Sequence, residues 1–233
     1  MKNVCSESLT GKYGDYIISN GDFNTSLQVE KIGQSIADAF YERILNPKKI
    51  KRYNYKNLFE RSYQMNDIDC TVTCDAIGIG EFNLDISEKF RQFDAGDMCV
   101  ELWSNFDKKV KGWAVEKTPD ICPDIFLYVT PVHIYEVWNN NFFRDMISDI
   151  MSEWDWDSLN QFMREDDFKH KRSADSNGRY NIKVGGRDVT LLRTWSKRNG
   201  RTWCGVCVCI PWTSLINDYF VDINTYDRNK LNI

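Results

Sequence analysis

The sequence contains no apolar run long enough to cross a bilayer, and its N-terminus, MKNVCSESLTGKYG, lacks the apolar centre of a signal peptide. The expectation is a cytoplasmic protein with no membrane partner. It also lacks a basic excess: 30 Lys+Arg against 34 Asp+Glu give a net charge of -4, so any polyanion site has to be a local patch. Histidine is scarce, with His133 and His170 in unrelated contexts. Cys204-Gly-Val-Cys207 has no second C-x-x-C after it, so the paired ligand spacing of a zinc framework is missing. Without a secretion signal the eight cysteines read as reduced thiols, and Cys204, Cys207 and Cys209 as core residues of an apolar strand.

What is present is aromatic-rich and ordinary in overall balance. At 42% hydrophobic and 27% charged, 233 residues are enough for a sizeable core, and one domain is the economical reading. The stretch Asn66 to Arg91, NDIDCTVTCDAIGIGEFNLDISEKFR, predicts a β-hairpin with a glycine-containing loop. A loop centred on Ile79 pairs Asp69 with Lys89, Asp67 with Arg91, Thr71 with Ser87 and Thr73 with Asp85. Side chains alternate along a strand, so one face carries Asp67, Asp69, Thr71, Asp85, Ser87 and Lys89. The other carries Ile68, Cys70, Val72, Ile86 and Phe90, with Glu88 as its one charge.

Around the hairpin, residues 1–22 read as an irregular arm. Asn24 or Thr25 caps a helix running to about Leu45, ended by Asn46-Pro47. The basic run Lys48 to Lys56 reads as a solvated loop with a phosphate contact as its functional alternative. Strands are expected at Met98–Trp103, Ile125–Thr130, Val132–Trp138 and Thr202–Pro211, and helices at Asn141–Met151 and Trp154–Arg164. A short helix and a polar tail complete the chain. The division is a single domain with a core at 23–150 and a basic hairpin with a returning strand at 165–211.

An acidic strand face with a facing lysine is what metal-assisted phosphodiester hydrolysis uses. Carboxylates hold hard Mg²⁺ through oxygen, and an ammonium stabilises charge on the phosphate or attacking water. The alternative is a hairpin whose charges only keep it soluble and discourage edge pairing. The segments Asp67-Ile-Asp69, Asp85-Ile-Ser-Glu-Lys-Phe-Arg91, Cys99-Val-Glu-Leu-Trp103, Lys111-Gly-Trp113 and Asp124-Ile-Phe-Leu-Tyr128 resemble the PD-(D/E)XK nuclease superfamily over about residues 60 to 137. The resemblance implies an α/β, restriction-endonuclease-like mixed β-sheet flanked by helices, in the order helix, three strands, helix, strand, here with extra C-terminal strands. It implies Asp69 as the metal-binding aspartate, Glu88 as the neighbouring carboxylate and Lys89 as the catalytic lysine, with Mg²⁺ or Mn²⁺ as cofactor. The family's acidic residue two before the lysine is Ser87 here. Asp85, or a bulge near Ser87 that turns Glu88 toward the acidic face, would supply the missing carboxylate. Glu101 is a further metal-ligand candidate.

Nucleic acid is the expected partner, DNA ahead of RNA, with a protein partner or a homodimer as the other option. Its candidate contacts are Arg179, Lys183, Arg187, Arg193, Trp195, Lys197, Arg198 and Arg201, where cations alternate with rings that stack on bases. Asn177-Gly178 and Gly185-Gly186 read as the turns of this basic hairpin. The competing function is a nuclease-like protein that binds without cutting.

Overall fold

The computed structural model describes residues 23–54, 58–91, 93–115, 121–156, 179–184, 186–198 and 201–233. The arm at 1–22, most of the helix expected at Trp154–Arg164 and the Asn177-Gly178 turn lie outside them. The sequence reading took one domain; the chain forms two compact units, the first assembled from three separate stretches.

The first unit starts with α1 (Phe23–Phe40), which a π-helical turn (Tyr41–Leu45) extends to the expected end at Leu45. Asn46 then takes a left-handed conformation (φ 46°) and its N–H closes on the Tyr41 carbonyl, so the helix stops at the residue before proline. Strand β1 (Lys49–Arg52) follows, where the sequence suggested a loop. It is a short, charged edge strand, the form that discourages further pairing. After α2 (Leu58–Met65) come β2 (Cys70–Ala76) and β3 (Gly80–Phe90), then β6 (Ile125–Val129), β7 (His133–Trp138) and, in place of the expected polar tail, β11 (Ile223–Asp227) with α5 (Arg228–Leu231). Asp227 caps α5 by accepting from the Asn229 and Lys230 N–H groups.

These strands form one six-stranded mixed sheet in the order β1-β2-β3-β6-β7-β11, with β3 and β6 parallel and every other neighbour antiparallel. Alternation places Cys70, Val72, Cys74, Ile86, Ile125, Leu127, Val129 and Ile134 in one buried cluster with Ile36, Ala37, Phe40 and Tyr41 of α1 and its extension. α1 therefore supplies the cover of this face. Gly33 permits the close approach: a Cβ there would fall onto the Phe90 ring. Gly33→Ala is expected to lower stability by about 1–3 kcal/mol through this overlap, although alanine is the better helix former by about 1 kcal/mol. Urea unfolding of Gly33→Ala with and without Phe90→Leu checks it, since the smaller side chain should recover the loss.

The second unit holds a five-stranded antiparallel sheet in the order β5-β4-β10-β9-β8. Its strands are β4 (Asp97–Asn105), β5 (Val110–Lys111), β8 (Arg179–Val184), β9 (Arg187–Arg198) and β10 (Arg201–Pro211), with helices α3 (Asn141–Glu153) and α4 (Trp212–Asn217). Val184 pairs with Arg187 where β8 meets β9, and Gly186 between them has φ 78°; Gly185 lies outside the described residues. Cys204, Cys207 and Cys209 are buried on β10. Cys207 clusters with Cys99 and Cys209, and its hydrogen bond to Cys99, together with burial, holds its thiol well above the ordinary thiol pKa.

Candidate active site

The hairpin closes two residues earlier than counting from Ile79 suggests. Ala76 faces Gly80, and the register runs Thr73↔Asn83, Thr71↔Asp85 and Cys70↔Ile86. Both glycines explain it: Gly78 (φ 85°) and Gly80 (φ 87°) each occupy left-handed positions, which centres the turn on Gly78. The pairings of Asp69 with Lys89, Asp67 with Arg91, Thr71 with Ser87 and Thr73 with Asp85 are thus corrected. A shift of two leaves the paired side chains from Cys70 to Ile86 on their expected faces, because strands repeat every two residues.

The approach to β2 delivers Asp69. The Ile68 N–H bonds to the Tyr63 carbonyl and the Asp67 N–H to the Gln64 carbonyl, the pair of bonds that closes a helix in a Schellman motif. Asp67 fills its left-handed position (φ 60°), so it terminates α2. Ile68, fully buried, pins the turn. Asp69 then donates its N–H to the Ile86 carbonyl at 2.9 Å, although Ile86 faces Cys70 in the register. Two successive residues meet one, which is the local offset of a bulge. The irregularity therefore lies at Asp69 and not near Ser87.

Asp69 uses that position to accept the Glu88 N–H on Oδ2 at 2.7 Å. Asp69 and Glu88 line one cavity of about 400 Å³ together with Val29, Glu30 and Gln34 of α1 and Phe90, Arg91 and Phe93. Burial pushes the Asp69 carboxyl up to about 6; Glu88 and Asp67 add to the rise, while Lys89 and the Glu88 N–H oppose it. Lys89, half-buried, faces Tyr128 across the parallel pair.

Glu88 does lie on the apolar face, 6% exposed, and it has partners. Oε1 accepts from the Tyr41 hydroxyl at 2.8 Å and from Cys70 Sγ at 3.7 Å; Oε2 accepts from Arg52 Nη1 at 2.6 Å. Burial first, and then Glu88, raises the pKa of both Tyr41 and Cys70, so each stays a protonated donor. Arg52 Nη2 in turn donates to Asp38 Oδ1 at 2.5 Å and to the Gln34 carbonyl at 3.3 Å. Burial works against the Arg52 charge, but the Glu88 and Asp38 bonds outweigh it and hold the guanidinium charged.

The remaining sequence candidates are elsewhere. Asp85 faces Thr71 and accepts its hydroxyl, while its N–H donates to the Asp124 carboxylate and its carbonyl accepts the Asp124 N–H, outside the Asp69 cavity; burial raises its pKa, and Asp124 adds to the rise. Ser87 is fully buried, and its hydroxyl has no partner among the described residues. Glu101 belongs to β4 of the second unit, where its carbonyl meets the Ala114 N–H and the close approach of Gly112. Among the described residues no group of three or more His, Cys, Asp and Glu is arranged to hold a metal.

The basic positions all fall in the second unit's sheet. The backbone register pairs Arg179 with Leu192, Lys183 with Asp188, Arg193 with Val206, Trp195 with Cys204, Lys197 with Thr202 and Arg198 with Arg201. Lys183 is exposed, and the Arg187 guanidinium lies 4.4 Å from the Tyr219 ring centroid.

Sequence reasoning missed Arg52, Tyr41, Glu30 and Gln34. A lone carboxylate on an apolar strand face was the available signal for Arg52, because such a group requires a partner. Compared with known families, curated proteins and solved structures, the chain has no match.

Proposed function

We propose that the first unit is a metal-dependent nuclease that hydrolyses phosphodiester bonds, with DNA ahead of RNA as substrate. The observation that carries this reading is the convergence of Asp69 and Glu88 on one cavity, with the Lys89 charge acting on Asp69. The architecture supports a restriction-endonuclease-like core: a helix, three strands, then a strand parallel to the third. Two elements of that expected order differ, the first being α2, which stands between β1 and β2. Between β3 and β6 the described residues contain no helix; the chain instead contributes β4 and β5 to the other sheet.

The donor set fits one hard cation. Mg²⁺ is commonly held by one or two carboxylates while keeping several waters and taking substrate oxygens. Asp69 has one oxygen on the Glu88 N–H and presents its carboxyl at the cavity. When bound, the cation would supply Lewis acidity and an acidified water. Burial delays ionisation of Asp69 to about pH 6, and the chain's own share is the Lys89 charge and the Glu88 N–H that oppose this rise. Its second share is to set the Lys89 ammonium where charge develops on phosphate or water. The basic positions of β8–β10 are the proposed nucleic-acid contacts within the second unit.

Lys89→Ala is expected to lower Mg²⁺-dependent cleavage of mixed nucleic-acid substrates by about 10²–10³-fold, as loss of one positioned charge-stabilising donor does. The melting temperature should hold within a few degrees. Full activity in this variant would sink the assignment.

A second reading, a nuclease-like protein that binds nucleic acid or a protein without cutting, draws on Ser87 at the usual carboxylate position and on the Arg52–Glu88 bond. It calls for no thermal shift with millimolar Mg²⁺ or Mn²⁺ and no cleavage. A steeply salt-dependent affinity would then separate a nucleic-acid binder from a protein binder.

A further inference from the structure

Three carboxylates line the cavity, Glu30, Asp69 and Glu88, together with Arg91, and two of the three act against a further cation of the same unit. The Lys89 charge acts on Asp69, and Arg52 is ion-paired with Glu88. Glu88 is the more committed of the two. Both its oxygens receive donors from buried or partly buried side chains: Tyr41 and Cys70 on one, Arg52 on the other. Arg52 is anchored from the opposite side by Asp38 and the Gln34 carbonyl, both on α1. The guanidinium thus spans from helix to sheet and is a built part of the fold. A metal ion brought onto Oε2 would share that oxygen with the Arg52 guanidinium, and two positive charges on one atom disfavour coordination there.

Resting on the metal-dependent reading above, we infer that Arg52 is the resident counter-cation of Glu88. Glu88 anchors Arg52 and is not a metal ligand, so the cavity takes a single hard divalent cation, on Asp69. Glu88 is then a positioning residue. It holds its own backbone N–H on Asp69 Oδ2 while its side chain ties β3 to β1 and α1. Of the two carboxylates that the strands bring to the cavity, Glu88 is thus already neutralised from within the chain, and Glu30 comes from α1.

Mn²⁺ titration of the full chain tests this, with calorimetry for affinity, electron paramagnetic resonance for the number bound, and circular dichroism for the fold. The wild type should take up one Mn²⁺, and Asp69→Asn none. Glu88→Gln preserves the shape and one acceptor oxygen, which serves Tyr41 or Arg52 but not both, so where it folds it should keep one Mn²⁺ and lose no more than about 100-fold in affinity. A true ligand lost from the site would cost more than the 10–100-fold typical of a supporting residue. Arg52→Gln, where it folds, frees Glu88 and should tighten binding by about tenfold or more, or add a second ion. A folded Glu88→Gln that loses Mn²⁺ by more than about 100-fold overturns the inference, as do two ions on the wild type. The two failures are separable. A wild type that cleaves with Mn²⁺ while Glu88→Gln cannot bind it removes only the role given to Arg52. A wild type that neither binds Mn²⁺ nor cleaves removes the metal-dependent reading and the inference together.

Discussion

Replacing Arg52 by methionine is expected to lower stability by about 3–5 kcal/mol, the loss seen when one member of a buried ion pair is removed. The reason lies in what is left behind. Glu88, 6% exposed and surrounded by Ile86, Cys70 and Tyr41, would keep its charge with only the Tyr41 hydroxyl and the Cys70 thiol to meet it. The lost bond to Asp38 matters less, because that carboxylate is 42% exposed and water replaces the partner. Combining Arg52→Met with Glu88→Gln should recover at least half of the loss, since the uncompensated charge is gone while Tyr41 still finds an acceptor. Urea unfolding of the two single variants and the double variant at pH 7 measures this as a coupling energy. A loss below about 1 kcal/mol for Arg52→Met would mean that Glu88 is not held by this pair.

That pair also marks the limit of what the sequence discloses. Alternation along the hairpin put Glu88 on the apolar face, and the structure has it there, because burial of Cys70, Val72 and Ile86 fixes which face is which. The partner sits 36 residues earlier on a strand of four residues, and no local pattern connects them. Lys49-Ile50-Lys51-Arg52 looks like a charged loop because an edge strand carries charge for its own reasons. Its alternation does carry the clue: Ile50 packs against the α1 core, and Arg52, two residues on, shares that face.

Register failed for a related reason. Two glycines flank Ile79, and composition alone cannot say which of them starts the returning strand. The apolar runs at β6 and β7, and the helical spacing of α1 and α3, were legible because burial imposes a strong period on each. The partition into two units was not. β4 and β6 are both apolar strands after the hairpin, yet they belong to different sheets, and sheet membership is decided by long-range pairing. A bulge near Ser87 was one of two ways to supply the missing carboxylate, Asp85 being the other; the offset instead occurs at Asp69, which changes which side chain is redirected. Asp69 is turned toward the cavity that Glu88 lines, while Ser87 stays buried.

Asp69→Asn should separate the stability of the fold from its proposed chemistry more sharply than any other single change. The folded Asp69 carboxyl titrates near 6, against about 4 for an unfolded aspartate. Between those values the native chain binds more protons than the unfolded chain, so stability falls as pH rises through the window and stays low above it. At full burial the difference amounts to about 3 kcal/mol, and a half-buried group should show about 1–2 kcal/mol of it. Asparagine at this position keeps an oxygen for the Glu88 N–H but carries no charge to desolvate. The variant should therefore lose the pH dependence between about 4 and 6 and gain about 1–2 kcal/mol at pH 7. It should also lose any thermal stabilisation by Mg²⁺ or Mn²⁺. Urea midpoints from pH 4 to 7.5, with and without metal, give both readouts in one series. A variant less stable than the wild type at pH 7 would show that the aspartate charge supports the fold. It would then be a structural carboxylate, and the cost of keeping it ionised would no longer point to a site.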